Sequence, residues 1–85
     1  MFAVAYTTAA LKSRKRLPRN LRNRITAKIE EVAADPTGQH PQVKPLVGID
    51  ALRLRVGDWR VLFELDHANK VLLVLDIRHR SEAYQ

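Results

Sequence analysis

The sequence predicts an α+β fold: an N-terminal strand, then a two-helix hairpin packed on one face of a four-stranded antiparallel sheet. Three observations predict it. Leu52–Ile77 alternates apolar and polar residues in three runs, broken at Gly57-Asp58 and at His67-Ala68-Asn69, which is the signature of strands joined by hairpins. Leu21, Ile25, Ile29 and Val32 recur at spacings of four, four and three, one stripe of a helix. Phe2–Tyr6 alternates ahead of the helices and supplies the remaining strand.

Taken in order, Thr7 or Thr8 caps a short, strongly basic helix from Ala9 to about Arg16. Pro18 suits the first turn of a second helix. That helix ends near Ala34, because Pro36 disfavours helical geometry at Asp35. Asp35–Ala51, with its prolines, glycines and glutamines, reads as a loop in which Leu46 and Ile49 plug the end of the core. His40, in that loop, and His67, in a turn, read as solvated. The Gly57-Asp58 loop suits a type II′ hairpin, which sets Val56 against Trp59 and Arg55 against Arg60. A three-residue loop ending at Asn69 then sets Leu65 against Val71 and Arg60 against Asp76. In this register Leu54, Val56, Trp59, Val61, Phe63, Leu65, Val71, Leu73, Leu75 and Ile77 form the core face. The other face carries Arg53, Arg55, Arg60, Leu62, Glu64, Leu72, Val74 and Asp76.

The totals agree with one small domain over residues 1–85. A chain of 85 residues buries roughly 60% of its unfolded surface. Apolar content of 46%, with 3 Gly and 4 Pro, describes a folded rather than a disordered chain. No cysteine is present, so there is no disulfide framework and no thiolate metal site. No metal-ligand set or cofactor motif is read. The N-terminal stretch has neither the basic region of a signal peptide nor a membrane span, and the expected location is the cytoplasm. A net charge of +6 favours an anionic partner. No helix pairs a basic face with large apolar anchors, which argues against a membrane surface.

Two groups of cations stand out. Lys12, Arg14, Lys15, Arg16, Arg19, Arg22 and Arg24 follow one another with no acid between them. A purely solvated helical face normally interleaves acids for i,i+4 pairing, so this run reads as a footprint for RNA or for an acidic protein. The second group lies on the sheet. Like charges directly opposite on a sheet destabilise it by up to about 1 kcal/mol, so Arg55 against Arg60 calls for an anion. Arg53 joins them by alternation, and Arg78 and Arg80 do so if the last strand continues. Arg60 has a plainer use as well, a cross-strand pair with Asp76. His79 then points the other way, as a supporting residue. Tyr84 is either a packing residue or a proton-transfer group beside these cations.

The segments KPLVGIDALRLRVGDWRVLFEL and IRHRSEAY resemble the RelE/ParE superfamily of bacterial toxins over nearly the whole chain. The shared pattern is a P-L-x-G loop, an R-x-R-x-G-D-aromatic-R-V hairpin, and H-R-x-x-x-Y near the C-terminus. The resemblance implies a RelE-like fold and the toxin of a type II toxin–antitoxin pair. It implies a ribosome-dependent endoribonuclease that cuts mRNA in the ribosomal A site and inhibits translation. Arg60, Arg80 and Tyr84 would then be catalytic, Arg53, Arg55 and Arg78 would bind the substrate phosphate, and His79 and Asp76 would support them. It further implies a small acidic antitoxin, bound in a hetero-oligomer. RNA-cutting members carry lysines where this chain has Arg53 and Arg55, which leaves the general base unassigned. Two other readings remain: a gyrase-poisoning toxin without catalysis of its own, and a basic RNA-binding module.

Overall fold

A computed structural model describes residues 1–83. The chain runs β1 (Ala3–Tyr6), α1 (Thr8–Lys15), α2 (Arg19–Ala34), β2 (Val43–Pro45), β3 (Leu52–Val56), β4 (Trp59–Asp66), β5 (Val71–His79) and α3 (Arg80–Ala83). The α+β class and the placement of both long helices on one sheet face are as expected. The sheet has five strands rather than four, in the order β1-β5-β4-β3-β2, and is mixed rather than antiparallel, since β1 runs parallel to β5. The extra strand is β2. At three residues ending in Pro45 it is too short to show alternation in the sequence.

Local chemistry sets the helix ends. The Thr7 hydroxyl accepts a hydrogen bond from the Ala10 N–H at 3.1 Å and donates to the Leu75 carbonyl at 2.7 Å, so one side chain both caps α1 and ties it to β5. Pro18, just ahead of α2, needs no donor partner and offers its carbonyl to the Arg22 N–H. Asp35 leaves the helical region, at φ −145° and ψ 69°, because the proline that follows disfavours helix there, and α2 stops. Ile25, Ile29, Val32 and Ala33 from α2, with Ala10 and Leu17, bury against Leu54, Val56, Val61, Phe63, Leu72, Val74 and Ile77.

The register of β5 differs from the expected one, and the turn is the reason. Asp66 accepts from both the backbone N–H and the side-chain amide of Asn69, and Lys70, not Asn69, takes the positive φ of 54°. The loop is therefore four residues long and pairs Asp66 with Val71 and Leu65 with Leu72. Period 2 then buries Leu72 and Val74, which the shorter loop had placed on the arginine face, and leaves Val71, Leu73 and Leu75 half-buried. An irregularity between the Phe63–Val74 and Leu62–Asp76 pairs absorbs Leu75 as one extra residue. Beyond it Ile77 returns to the core opposite Val61, and Arg78, not Asp76, stands opposite Arg60. The loop before β3 also departs from expectation. Leu46 is half-buried, but Ile49 is 62% exposed and Val47 fully so, and neither plugs the core.

Candidate functional site

β3 and β4 pair as the two-residue turn requires, with Val56 opposite Trp59 and Arg55 opposite Arg60. On the sheet face away from the helices this register stacks like charges. Lys44 stands opposite Arg53, Arg55 opposite Arg60, and Arg60 opposite Arg78. Lys44, Arg53, Arg55 and Arg60, with Pro41 and Gln42, line a cavity of about 350 Å³. Among the described residues no carboxylate lines it. Each like-charged cross-strand pair costs up to about 1 kcal/mol, so the cavity is a place where an anion stabilises the sheet.

Arg60 is the buried member, 6% exposed. Its Nη1 donates to the carbonyls of Gly57 and Trp59, both at 3.0 Å, which folds the guanidinium over the β3–β4 turn. Its Nε is buried and has no hydrogen-bond partner among the described residues. The expected pair with Asp76 does not form, because the register places Asp76 opposite Leu62. Asp76 instead accepts from Arg78 Nε and from the Ser13 hydroxyl, each at 2.8 Å. Burial pushes the Asp76 carboxyl up. The hydrogen bonds from Arg78, Ser13 and the Ile77 N–H, with the charge of Arg78, outweigh it and hold Asp76 below the ordinary carboxylate value.

The remaining expected site residues divide. Arg78 shares the face of Arg60 but is tied to Asp76. Arg80 does not continue the strand: it opens α3, donates its N–H to the Asp58 carbonyl at 2.7 Å, and places Nη1 at 3.9 Å from the Asp58 carboxylate. His79 stands opposite Trp59, stacks edge-on against it at 5.3 Å, and contacts the Ser81 hydroxyl, so it points away from Arg60 as expected. Tyr84 lies outside the described residues. His40 is not merely solvated, since its Nε2 lies 2.6 Å from the Asp35 carbonyl and fastens the loop after α2. His67 sets its ring edge-on to Phe2.

In the helical group, Lys12, Lys15, Arg16 and Arg19 are exposed, and Arg22 is half-buried. Arg14 is different: its guanidinium lies over the Tyr6 ring at 5.3 Å, and its Nε is buried. Sequence reasoning passed over Lys44 and Gln42. The only signal for them was the polar alternation of Gln42-Val43-Lys44, set in a stretch that reads as loop.

Residues 4–84 match the family model described as the ParE toxin of the type II toxin–antitoxin system, parDE. The chain belongs to this family. It is the toxin of a type II toxin–antitoxin system. No curated protein matches it. Among solved structures, the isolated Escherichia coli RelE toxin resembles it with a TM-score of 0.80 at 21% identity, covering 99% of this chain and 92% of that one. The toxin–antitoxin complex RelBE2 of Mycobacterium tuberculosis gives 0.79 at 22% identity, with 93% and 98% covered. The YoeB/ParE toxin of Agrobacterium tumefaciens gives 0.77 at 15% identity, with 92% and 98% covered. At these identities the likeness is one of fold. Chemically, the cavity presents planar forks of charged donors, the geometry that matches a phosphate or a carboxylate.

Proposed function

We propose that this toxin is a metal-independent endoribonuclease that cuts mRNA in the ribosomal A site. The observation that carries this reading is the cavity in which Lys44, Arg53, Arg55 and the buried Arg60 meet with no carboxylate among the described residues. In such a cleavage the 2′-hydroxyl attacks the adjacent phosphorus and the bond to the 5′-oxygen breaks, leaving a 2′,3′-cyclic phosphate and a 5′-hydroxyl. The proton of the 2′-hydroxyl passes to a base, and an acid supplies one to the leaving oxygen. Arg53, Arg55 and Arg60 carry the charge that builds on the phosphorane. Arg78, opposite Arg60, steadies the same phosphate from β5. Arg80, turned toward Asp58 at the start of α3, adds positive charge beside the cavity rather than within it, and Tyr84 exchanges a proton. His79 and Asp76 act indirectly, His79 by packing Trp59 and Asp76 by holding Arg78. The ribosome supplies the substrate geometry that the open sheet face lacks.

Several solved relatives are toxin–antitoxin complexes, among them RelBE of Escherichia coli and RelB–RelE of Methanococcus jannaschii. By that likeness an acidic antitoxin neutralises this toxin in a hetero-oligomer, its carboxylates meeting the basic surface of α1 and the start of α2. The second reading is gyrase poisoning. The ParE family match favours it, as does the scarcity of proton-exchanging groups in the cavity.

Purified ribosomes programmed with mRNA separate the two. A-site cleavage is expected, and it is expected to fall by about 10²–10⁴ in Tyr84→Phe, the usual contribution of a positioned acid or base, while ribosome binding persists. Intact mRNA together with arrested gyrase supercoiling selects the second reading. Unchanged single-turnover cleavage in Tyr84→Phe removes Tyr84 from the chemistry.

A further inference from the structure

The cavity on the sheet does not end at Arg55. A second groove, of about 370 Å³, is lined by Arg24, Lys28, Gln42, Arg55, Val56 and Gly57. The two share Gln42 and Arg55, so they form one trough. It starts on the open sheet face, turns over the edge of the sheet at Gln42, and continues between α2 and the β3–β4 turn. Gln42 is fixed there because its carbonyl accepts from the Arg55 N–H at 2.9 Å. Arg24 reaches the turn closely: a Cβ on Gly57 would lie 3.4 Å from its Nη2, and Gly57 itself takes a φ of +59°.

The trough is lined by six cations, Arg60, Arg53, Lys44, Arg55, Arg24 and Lys28, and among the described residues the carboxylate beside it is Glu31, in an adjoining pocket of about 120 Å³ that shares Lys28, Pro41, Gln42 and Arg55. Among the described residues neither Arg24 nor Arg55 makes an ion pair, and Lys28 alone is paired, with Glu31 at 3.2 Å. Arg53 and Arg55 stand two residues apart on one strand, about 7 Å along it. Such a row of planar donors suits a chain of repeating phosphates. A protein segment that folds on binding needs apolar surface to bury; besides Pro41 and Val56 the adjoining pocket adds Val32 and Leu54, but both are already buried in the core at 3% exposure and leave little apolar surface open to a partner.

We propose that the trough is a track for single-stranded RNA. A strand whose phosphate sits at Arg53, Arg55 and Arg60 leaves that cavity over Gln42, and Arg24 and Lys28 hold the phosphates that follow. This rests on the phosphate-binding part of the proposed nuclease reading, and it assigns α2 residues outside the cavity to the path of the flanking strand.

The test is fluorescence anisotropy with two labelled RNAs. One is a trinucleotide, and the other is a strand of about 12 nucleotides, within the roughly 4–16 that such grooves hold. The parent toxin is expected to bind the longer strand more tightly. In the Arg24→Gln/Lys28→Gln double variant, affinity for the longer strand is expected to fall roughly tenfold, and its salt slope by about 1.4, for two lost phosphate contacts. Trinucleotide binding is expected to stay unchanged. Lys12→Gln/Lys15→Gln removes the same charge from α1 and is expected to weaken both RNAs alike and slightly. The track is overturned if the parent shows no preference for length, or if the Arg24/Lys28 variant weakens both RNAs equally. It is also overturned if that variant binds both RNAs normally but releases the antitoxin faster, which makes the groove an antitoxin surface. Ribosomes on which the parent cuts no mRNA defeat the nuclease reading alone, because the length dependence is read without cleavage.

Discussion

Arg60 joins a structural role at the β3–β4 turn to its place in the proposed phosphate site. Its guanidinium holds two turn carbonyls, and it is the buried charge of a cavity whose Arg53 is half-buried and whose Lys44 and Arg55 are exposed. Replacing it therefore does more than remove a phosphate ligand. Arg60→Lys keeps the charge but loses the fork of donors. It is expected to lower stability by about 1–2 kcal/mol, the value of the hydrogen bonds lost at a buried site, and to abolish most toxicity. Urea denaturation beside a growth assay checks both, and a fully toxic variant removes Arg60 from the site. Asp76 offers a pH test. Its folded pKa lies below the unfolded value of about 3.9, so its contribution is complete above that pH. The contribution is lost as the pH falls through the lower, folded value. Asp76→Asn is expected to cost roughly 1–2 kcal/mol at neutral pH and to flatten the acid limb below about pH 4. Parallel pH profiles for parent and variant contradict this.

Among the elements, β5 carries the largest structural consequence. Its four-residue turn and its one-residue irregularity decide which leucines are core. Leu72 is 1% exposed, whereas Leu73 is half-buried on the arginine side. Leu72→Ala is expected to cost about 2–5 kcal/mol, and Leu73→Ala closer to 1 kcal/mol. Thermal or chemical denaturation reads the difference. The reverse order matches the three-residue turn instead. The same irregularity sets Arg78 beside Arg60, so the turn chemistry of Asp66 and Asn69 reaches the functional face through strand register.

At the scale of the molecule, charge is divided between two surfaces. The sheet cavity and its trough carry one set of cations, and α1 with the start of α2 carries the other. The α1 set is the expected antitoxin surface. Since Leu72 and Val74 are buried, the apolar side chains left on the arginine face are the half-buried Leu62, Val71 and Leu73, and more exposed apolar contacts for an antitoxin are offered elsewhere. Val47 and Ile49, which project from the loop before β3, are candidates. Converting Lys12, Lys15, Arg16 and Arg19 to glutamine is expected to speed dissociation from an acidic antitoxin at low salt, and less so at high salt. Arg14 is better left in place, because its stack on Tyr6 confounds charge with packing. Unaltered dissociation rates assign this surface to another partner, such as ribosomal RNA.

The sequence alone determined the class of fold, the helix ends, the β3–β4 hairpin and the opposition of Arg55 to Arg60. Each of these follows from residues near one another in the chain: a threonine cap, a proline stop, a two-residue turn and period-2 alternation. The tertiary structure decided what depends on distant pairing. Lys44 joins the cavity only because β2 docks on β3, and Arg80 leaves it only because α3 begins where β5 ends. Arg60 lost its pairing with Asp76 to a shift that began 10 residues away, at the Asp66 turn, and ended at one absorbed leucine. Alternation reads which residues share a face within one strand. It does not read how far the neighbouring strand has slid, because that is fixed by turn hydrogen bonds and by the burial of Leu72 and Val74 against both helices.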